Sequence, residues 1–294
     1  MAELRFPDNF EQNEWIESEL SHLKRELRAE GKSEATIKKY IRDTKYYLEF
    51  VCMLTGKADN CGDWDVMQKY REHLAATFEL SSSNSMMAGV NCYFRLSGRS
   101  DLKLQSFKVQ RGVFRPDTLE LTKEEYLRLL NTACETGNER LCLIMQTLAS
   151  TGIRISELPF ITAESLKLRR ARVSLKGKTR NVILPATLCL RLSEYAERRN
   201  ITSGSVFVTK AGRPVDRSNI LHDMKRLCRK ADVCPDKVFP HNFRHLFAVT
   251  YYNSEKDLGH LADILGHSNI NTTRIYTAEG ESTLAVAIEN LGLL

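Results

Sequence analysis

The sequence predicts a mostly α-helical protein: a small helical bundle over residues 10–97, then a larger, mainly helical unit with a small antiparallel β-sheet. Three observations lead there. Apolar residues recur at spacings of three and four through most of the chain, as helices that bury one face require. Strand patterning is confined to the middle of the second half. Between the units, residues 98–116, periodicity fails: Gly98, Gly112 and Pro116 interrupt a basic, poorly patterned stretch that reads as a linker. With 294 residues, 42% of them hydrophobic and 27% charged, the chain is long enough for two cores.

The first helix is expected from Glu14 to Glu30, bounded by Gly31. Glu34 to Val51 is strongly amphipathic. Ile37, Ile41, Thr44, Leu48 and Val51 fall three and four apart, and Ser33 is a ready N-cap. Helices over Asp65 to Phe78 and Ser83 to Leu96 complete the bundle. The second unit opens at Thr122, where Glu125 stands at capping-box spacing ahead of Leu127, Leu129 and Leu130. Leu141 to Ala149 is an apolar helix stopped near Gly152. Arg172 to Leu175 and Asn181 to Leu184 flank Lys176-Gly177-Lys178 and predict a β-hairpin, with Gly177-Lys178 as its two-residue turn. Ser205 to Val208 is a candidate third strand. From Asp216 onward the pattern is helical again.

Net charge is +6 and uneven. Residues 1–110 carry 16 basic and 17 acidic side chains, and residues 111–294 carry 27 and 20. Ser165 to Arg180 holds seven basic residues and no acid. Such density attracts polyanions through counterion release, although a solvated hairpin has the same composition. Charge alone does not separate DNA, RNA and acidic membrane.

The longest uncharged stretch, Leu80 to Phe94, is 15 residues, too short to span a bilayer. The N-terminus has no apolar core like that of a signal peptide. A soluble, cytoplasmic protein is the expectation. The eight cysteines form no CxxC pair and read as reduced, mostly buried thiols.

Four of the seven histidines lie between 241 and 267. His241 and His245 are four apart and share a helix face, with Arg244 one turn from His241. HxxxH can hold a metal, but the zincin pattern needs a glutamate beside the first histidine. Asn242 stands there, and no third ligand is obvious. No metal and no cofactor is expected. For any one histidine, packing in the core is the commoner role.

Read together, TGIRISEL (151–158), LKGKTR (175–180), HNFRH (241–245) and LGHSNINTTRIYT (265–277) strongly resemble the tyrosine recombinase, or phage integrase, family. The order and spacing of all four agree. The resemblance is strong over about residues 115–280, with 117–280 matching the catalytic domain. Residues 10–97 look, more weakly, like the family's helical core-binding (SAM-like) domain. By this resemblance Arg154 and Arg244 match the two catalytic arginines, and His241 and His267 the two histidines. Tyr276, nine residues after His267, matches the nucleophile. Lys176 matches the hairpin lysine, with Lys178 as the alternative. Glu157 matches a supporting acidic position. Two departures stand out: Leu246 where a small hydroxyl residue is common, and Met86, Met87 and Gly89 where many relatives are more basic.

The resemblance implies a site-specific recombinase that cuts and rejoins duplex DNA through a covalent 3′-phosphotyrosine, in DNA integration, excision or resolution. The bond energy stays in the phosphotyrosine, so neither ATP nor metal is required. The residue types suit that chemistry. A tyrosine pKa of about 10 makes the phenolate cost about 4 kcal/mol at pH 7. Guanidiniums stay charged and fork across two phosphoryl oxygens. Histidines donate or shuttle protons near neutrality, and a hairpin lysine can protonate the leaving 5′-oxygen.

Double-stranded DNA is the implied partner, engaged by a homotetramer on paired sites. No separate N-terminal arm-binding domain, as larger family integrases carry, is expected. In Glu281 to Leu294, Leu284, Ile288 and Leu291 line one face of a short helix beyond Gly280. The resemblance suggests that it docks on a neighbouring protomer; packing on its own catalytic domain is the alternative. Rival readings are a topoisomerase-like DNA relaxer, a DNA-binding regulator with a dead site, and an RNA-binding protein. The last lacks the aromatic, glycine-rich signatures of sheet-type RNA binders.

Overall fold

The computed structural model describes residues 10–108, 119–175, 177–209, 211–267 and 269–274. The chain divides into two compact units, Met1–Arg111 and Gly112–Leu294. Both are mainly helical, as the sequence predicts.

The first unit packs α1 (Phe10–Ala29), α2 (Glu34–Thr55), α3 (Trp64–Thr77) and α4 (Leu80–Leu96). Ser33 caps α2, its hydroxyl accepting from the Thr36 amide at 3.2 Å. Of the predicted stripe, Ile37, Thr44, Leu48 and Val51 are buried and Ile41 is half-buried. Tyr47 and Tyr70 meet edge to face at 4.8 Å in the same core. Gly89 lets α4 approach α2 closely, since a Cβ there would lie 3.0 Å from the Asp43 Cβ. Asp43 is fully buried and paired with Lys39 at 2.5 Å and Arg42 at 2.7 Å. Met87 and Gly89 are therefore interior positions, which accounts for their lack of charge.

Residues 102–107 are strapped to α4. Asn91 exchanges two hydrogen bonds with the backbone of Leu104, at 2.8 and 2.9 Å. Asn84, two turns earlier on the same helix face, does the same with Phe107, at 2.7 and 3.0 Å. Leu104 is buried beneath them. This part of the stretch between the periodic regions thus packs on the first unit.

The second unit is built on α6 (Glu139–Thr151). Leu141, Cys142, Leu143, Ile144, Met145 and Leu148 are all buried, so this helix is apolar on nearly every side. Such a helix belongs in the interior. Around it pack α5 (Lys123–Glu135), α8 (Ala186–Arg198), α9 (Arg217–Ala231) and α10 (Pro240–Glu255). The short α7 (Ala163–Lys167) leads into the hairpin, and α11 (Leu258–Leu265) follows α10. The Thr122–Glu125 capping box forms in both directions.

The hairpin joins β1 (Arg170–Leu175) and β2 (Lys178–Ile183). Leu175 pairs with Lys178, so the connecting residues are 176 and 177, not the predicted Gly177-Lys178. Gly177 takes φ 75°, a left-handed value that glycine adopts without a Cβ penalty. Among the described residues the sheet has two strands. Ser205 to Val208 makes only isolated bridges, Thr162 with Ser205 and Val208 with Pro214. The Val206 amide bonds to Ile161, and Phe207 accepts from Val215 in a local loop. These partners hold the segment in the core without joining the hairpin ladder.

Candidate active site

The site grows from the corner where α6 ends. Gly152 caps that helix in the left-handed region, φ 61°. A Cβ here would meet Phe247 at 2.5 Å and Leu265 at 2.9 Å. The glycine therefore brings α10 and the end of α11 against the start of the Arg154 turn. Arg154 itself is extended and leads into a 3-10 turn, Ile155–Phe160.

Glu157 ties that turn together. Its carboxylate accepts from the Arg154 amide at 2.8 Å, the Arg154 guanidinium at 3.2 Å and Arg180 at 2.7 Å. Burial alone would raise its pKa. The Arg154 amide and the two guanidiniums outweigh burial and hold it below the ordinary carboxylate value. The Arg154 side chain stays partly open to solvent, 41% exposed.

Arg244, in the second turn of α10, is 1% exposed. It donates to the Gly152 carbonyl at 2.5 Å, the Leu265 carbonyl at 2.8 Å and His267 Nε2 at 2.8 Å. Arginine has no acceptor, so Nε2 of His267 must carry the lone pair. The ring proton then sits on Nδ1 and donates to Thr273 Oγ1 at 2.8 Å. Burial, then the charges of Arg244, Arg154, Arg180 and His241, lower the His267 pKa to about 4. Two separate arguments thus make this imidazole neutral at pH 7.

His241 is exposed in the first turn of α10, one turn before Arg244. His245 is buried instead, with Nε2 3.3 Å from Glu120. The HxxxH pair is split between solvent and interior. Leu246, the residue that departs from the family habit, packs against the core.

Of the six predicted catalytic residues, Arg154, His241, Arg244 and His267 lie in one electrostatic neighbourhood. Lys176 and Tyr276 lie outside the described residues, as does the tail 281–294. Arg180 and Thr273 were not singled out from sequence, yet both hold this cluster. For Arg180 a signal existed: it is two residues before buried Val182, so strand alternation puts both on one face.

Residues 120–282 match the family model described as the phage integrase family. The chain is 31% identical to tyrosine recombinase XerA of Thermococcus kodakarensis, over 97% of this chain and 97% of that protein. It is 27% identical to XerA of Pyrococcus furiosus, over 91% and 92%. In fold it is similar to the XerH recombinase crystallised on its difH substrate, with TM-score 0.67 and 18% identity, over 98% of this chain and 91% of that one. It also resembles the crystal structure of XerA recombinase, with TM-score 0.52 and 24% identity, over 95% and 99%. A family match across more than half the chain, joined to a relative alike along almost its whole length, makes this protein a member of the phage integrase family of tyrosine recombinases.

Proposed function

We propose that this chain cuts and rejoins duplex DNA at specific sites, through a covalent 3′-phosphotyrosine on Tyr276. One observation carries the reading: Arg154, Arg244 and His267 converge around the Gly152 corner, held by Glu157 and Arg180. Convergent guanidiniums suit a phosphodiester whose non-bridging oxygens gain charge during attack. Arg154 and His241, being exposed, can reach an incoming phosphate. Buried Arg244 acts from beneath it.

In the proposed step the Tyr276 oxygen attacks phosphorus and the P–O5′ bond breaks. The electron pair leaves on the 5′-oxygen, which takes a proton from Lys176. The phenol proton passes to His241 or solvent. A 5′-hydroxyl of the second duplex then reverses the step on the same phosphorus. No nucleotide cofactor enters this balance.

The hairpin's outer face supports a DNA partner. Lys167, Arg169, Arg170 and Arg172 are exposed, with no ion pair among the described residues. A cleft of about 640 Å³ runs past Arg170, Arg172, Thr179 and Asn181. Phosphate contacts of this kind fix register without reading sequence. In this reading the 10–97 bundle is the core-binding half of a DNA clamp, 117–280 is the catalytic domain, and four protomers assemble on paired sites.

The test uses two labelled duplexes that carry the site recovered by sequencing DNA covalently attached to the protein. Strand exchange between them is the expected product. Relaxed single plasmids with no exchanged product would assign the chain to the topoisomerase-like reading instead.

A further inference from the structure

Arg180 occupies an unusual place for a charged residue. It pairs with Val173 across the hairpin, and directly opposed residues share a face. On that face Ala171, Val173 and Val182 are all buried. A guanidinium turned inward there is costly unless its donors are met. Its two terminal nitrogens are met by the two elements that carry the site, while the buried Nε has no partner among the described residues. One terminal nitrogen donates to the Ile264 carbonyl at 2.5 Å, in the last turn of α11. The other donates to Glu157 at 2.7 Å, beside Arg154. The side-chain stem passes so near Gly266 that a Cβ there would lie 2.4 Å from the Arg180 Cδ. Gly266 is the residue between Leu265, whose carbonyl holds Arg244, and His267.

We propose that Arg180 is a positioning residue for DNA cleavage: it fixes the hairpin, and with it the lysine at position 176, against the Arg154–Glu157 turn and the His267 corner. This rests on the recombinase reading above. A two-stranded ribbon is marginal on its own, so the place of its tip depends on where its strands are fastened. Arg180 is that fastening, two residues from the end of the Lys178 pairing. Because the arginine fork reaches a carbonyl and a carboxylate at once, a single ammonium cannot replace it. Misplacing a proton donor by about 1 Å costs on the order of 10²-fold in rate.

The test compares Arg180→Gln and Arg180→Lys with Lys176→Ala on two nicked duplexes. One has an ordinary scissile phosphate and the other a 5′-bridging phosphorothiolate, whose thiolate leaves without a proton. The expected result for both Arg180 variants is cleavage slowed by about 10²-fold on the ordinary duplex. Their DNA Kd should stay within about threefold, and the phosphorothiolate duplex should be cut at nearly the wild-type rate. Arg180→Lys keeps the charge but on a single donor nitrogen, so it answers the question if Arg180→Gln unfolds. If a folded Arg180 variant is as slow on the phosphorothiolate as on the ordinary duplex, Arg180 does not act through proton delivery and the proposal fails. Wild-type cleavage of the ordinary duplex by either variant also overturns it. Tyr276→Phe run alongside reads the underlying assignment separately: a covalent adduct from that variant would remove the recombinase reading and this proposal together.

Discussion

Arg244 donates to Nε2 of His267 at 2.8 Å, and that bond settles which imidazole nitrogen holds the proton. The consequence is testable in the free protein. With its pKa lowered to about 4, by burial first and then by the surrounding arginines, His267 is neutral across the physiological range. Between about pH 6.5 and 4 the unfolded chain binds a proton there that the folded chain does not. Its contribution to stability is therefore complete above pH 6.5 and is lost as pH falls toward 4. In a carbon-edited NMR titration the His267 ring should show a midpoint near 4 and the Nδ1–H tautomer above it. A midpoint near 6.5 contradicts the tautomer argument.

Phosphate binding should reverse that depression. An anion beside Arg154 and His241 raises the pKa of a neighbouring imidazole. DNA binding near pH 5 should then take up protons, and the binding enthalpy should vary with the ionisation enthalpy of the buffer. His267→Gln should lose most of that dependence. Equal uptake by the variant and the wild type would place the titrating group elsewhere.

The two arginines should separate chemistry from folding. Arg154 is 41% exposed, so Arg154→Lys should shift unfolding free energy by about 1 kcal/mol or less. Arg244 is buried on two backbone carbonyls, and Arg244→Ala leaves both unmet at about 1–3 kcal/mol each. Both changes should lower the cleavage rate by about 10²–10³-fold. Denaturant melts and single-turnover cleavage on one set of samples decide this. Equal destabilisation by both variants would contradict the burial argument.

Gly152→Ala should be costly without touching any reacting group. The left-handed backbone adds about 1–2 kcal/mol for a residue with a Cβ. The collision with Phe247 and Leu265 adds about 1–3 kcal/mol of overpacking. A loss of roughly 2–5 kcal/mol in a urea melt is expected from these terms, and a change under 1 kcal/mol would mean that the corner relaxes freely.

Much of this was legible in the sequence, for identifiable reasons. Ser33, Thr122 and Gly152 are local signals, and each caps the helix it predicts. The boxes around Arg154, Arg244 and His267 gave the cluster its members, because residue type and order are all that a motif contains. The details that failed depend on pairing. The hairpin turn shifted by one residue because register is set by which backbone groups meet, here Leu175 with Lys178. Ser205 to Val208 has strand composition but finds its backbone partners at Ile161 and in its own loop. Arg180 read as one more charge in a basic run. Only the inward face it shares with Val173 shows that it is an anchor.

The central claim is that Tyr276 carries the DNA. A pool of nicked duplexes of randomised sequence, incubated with the full chain and then denatured, should leave a covalent adduct. Digestion and mass spectrometry should place the nucleotide remnant on the peptide that contains Tyr276. Tyr276→Phe should give no adduct while binding the same pool as tightly, because only one hydroxyl is removed. An adduct that survives in Tyr276→Phe, or one mapped to another residue, contradicts the account.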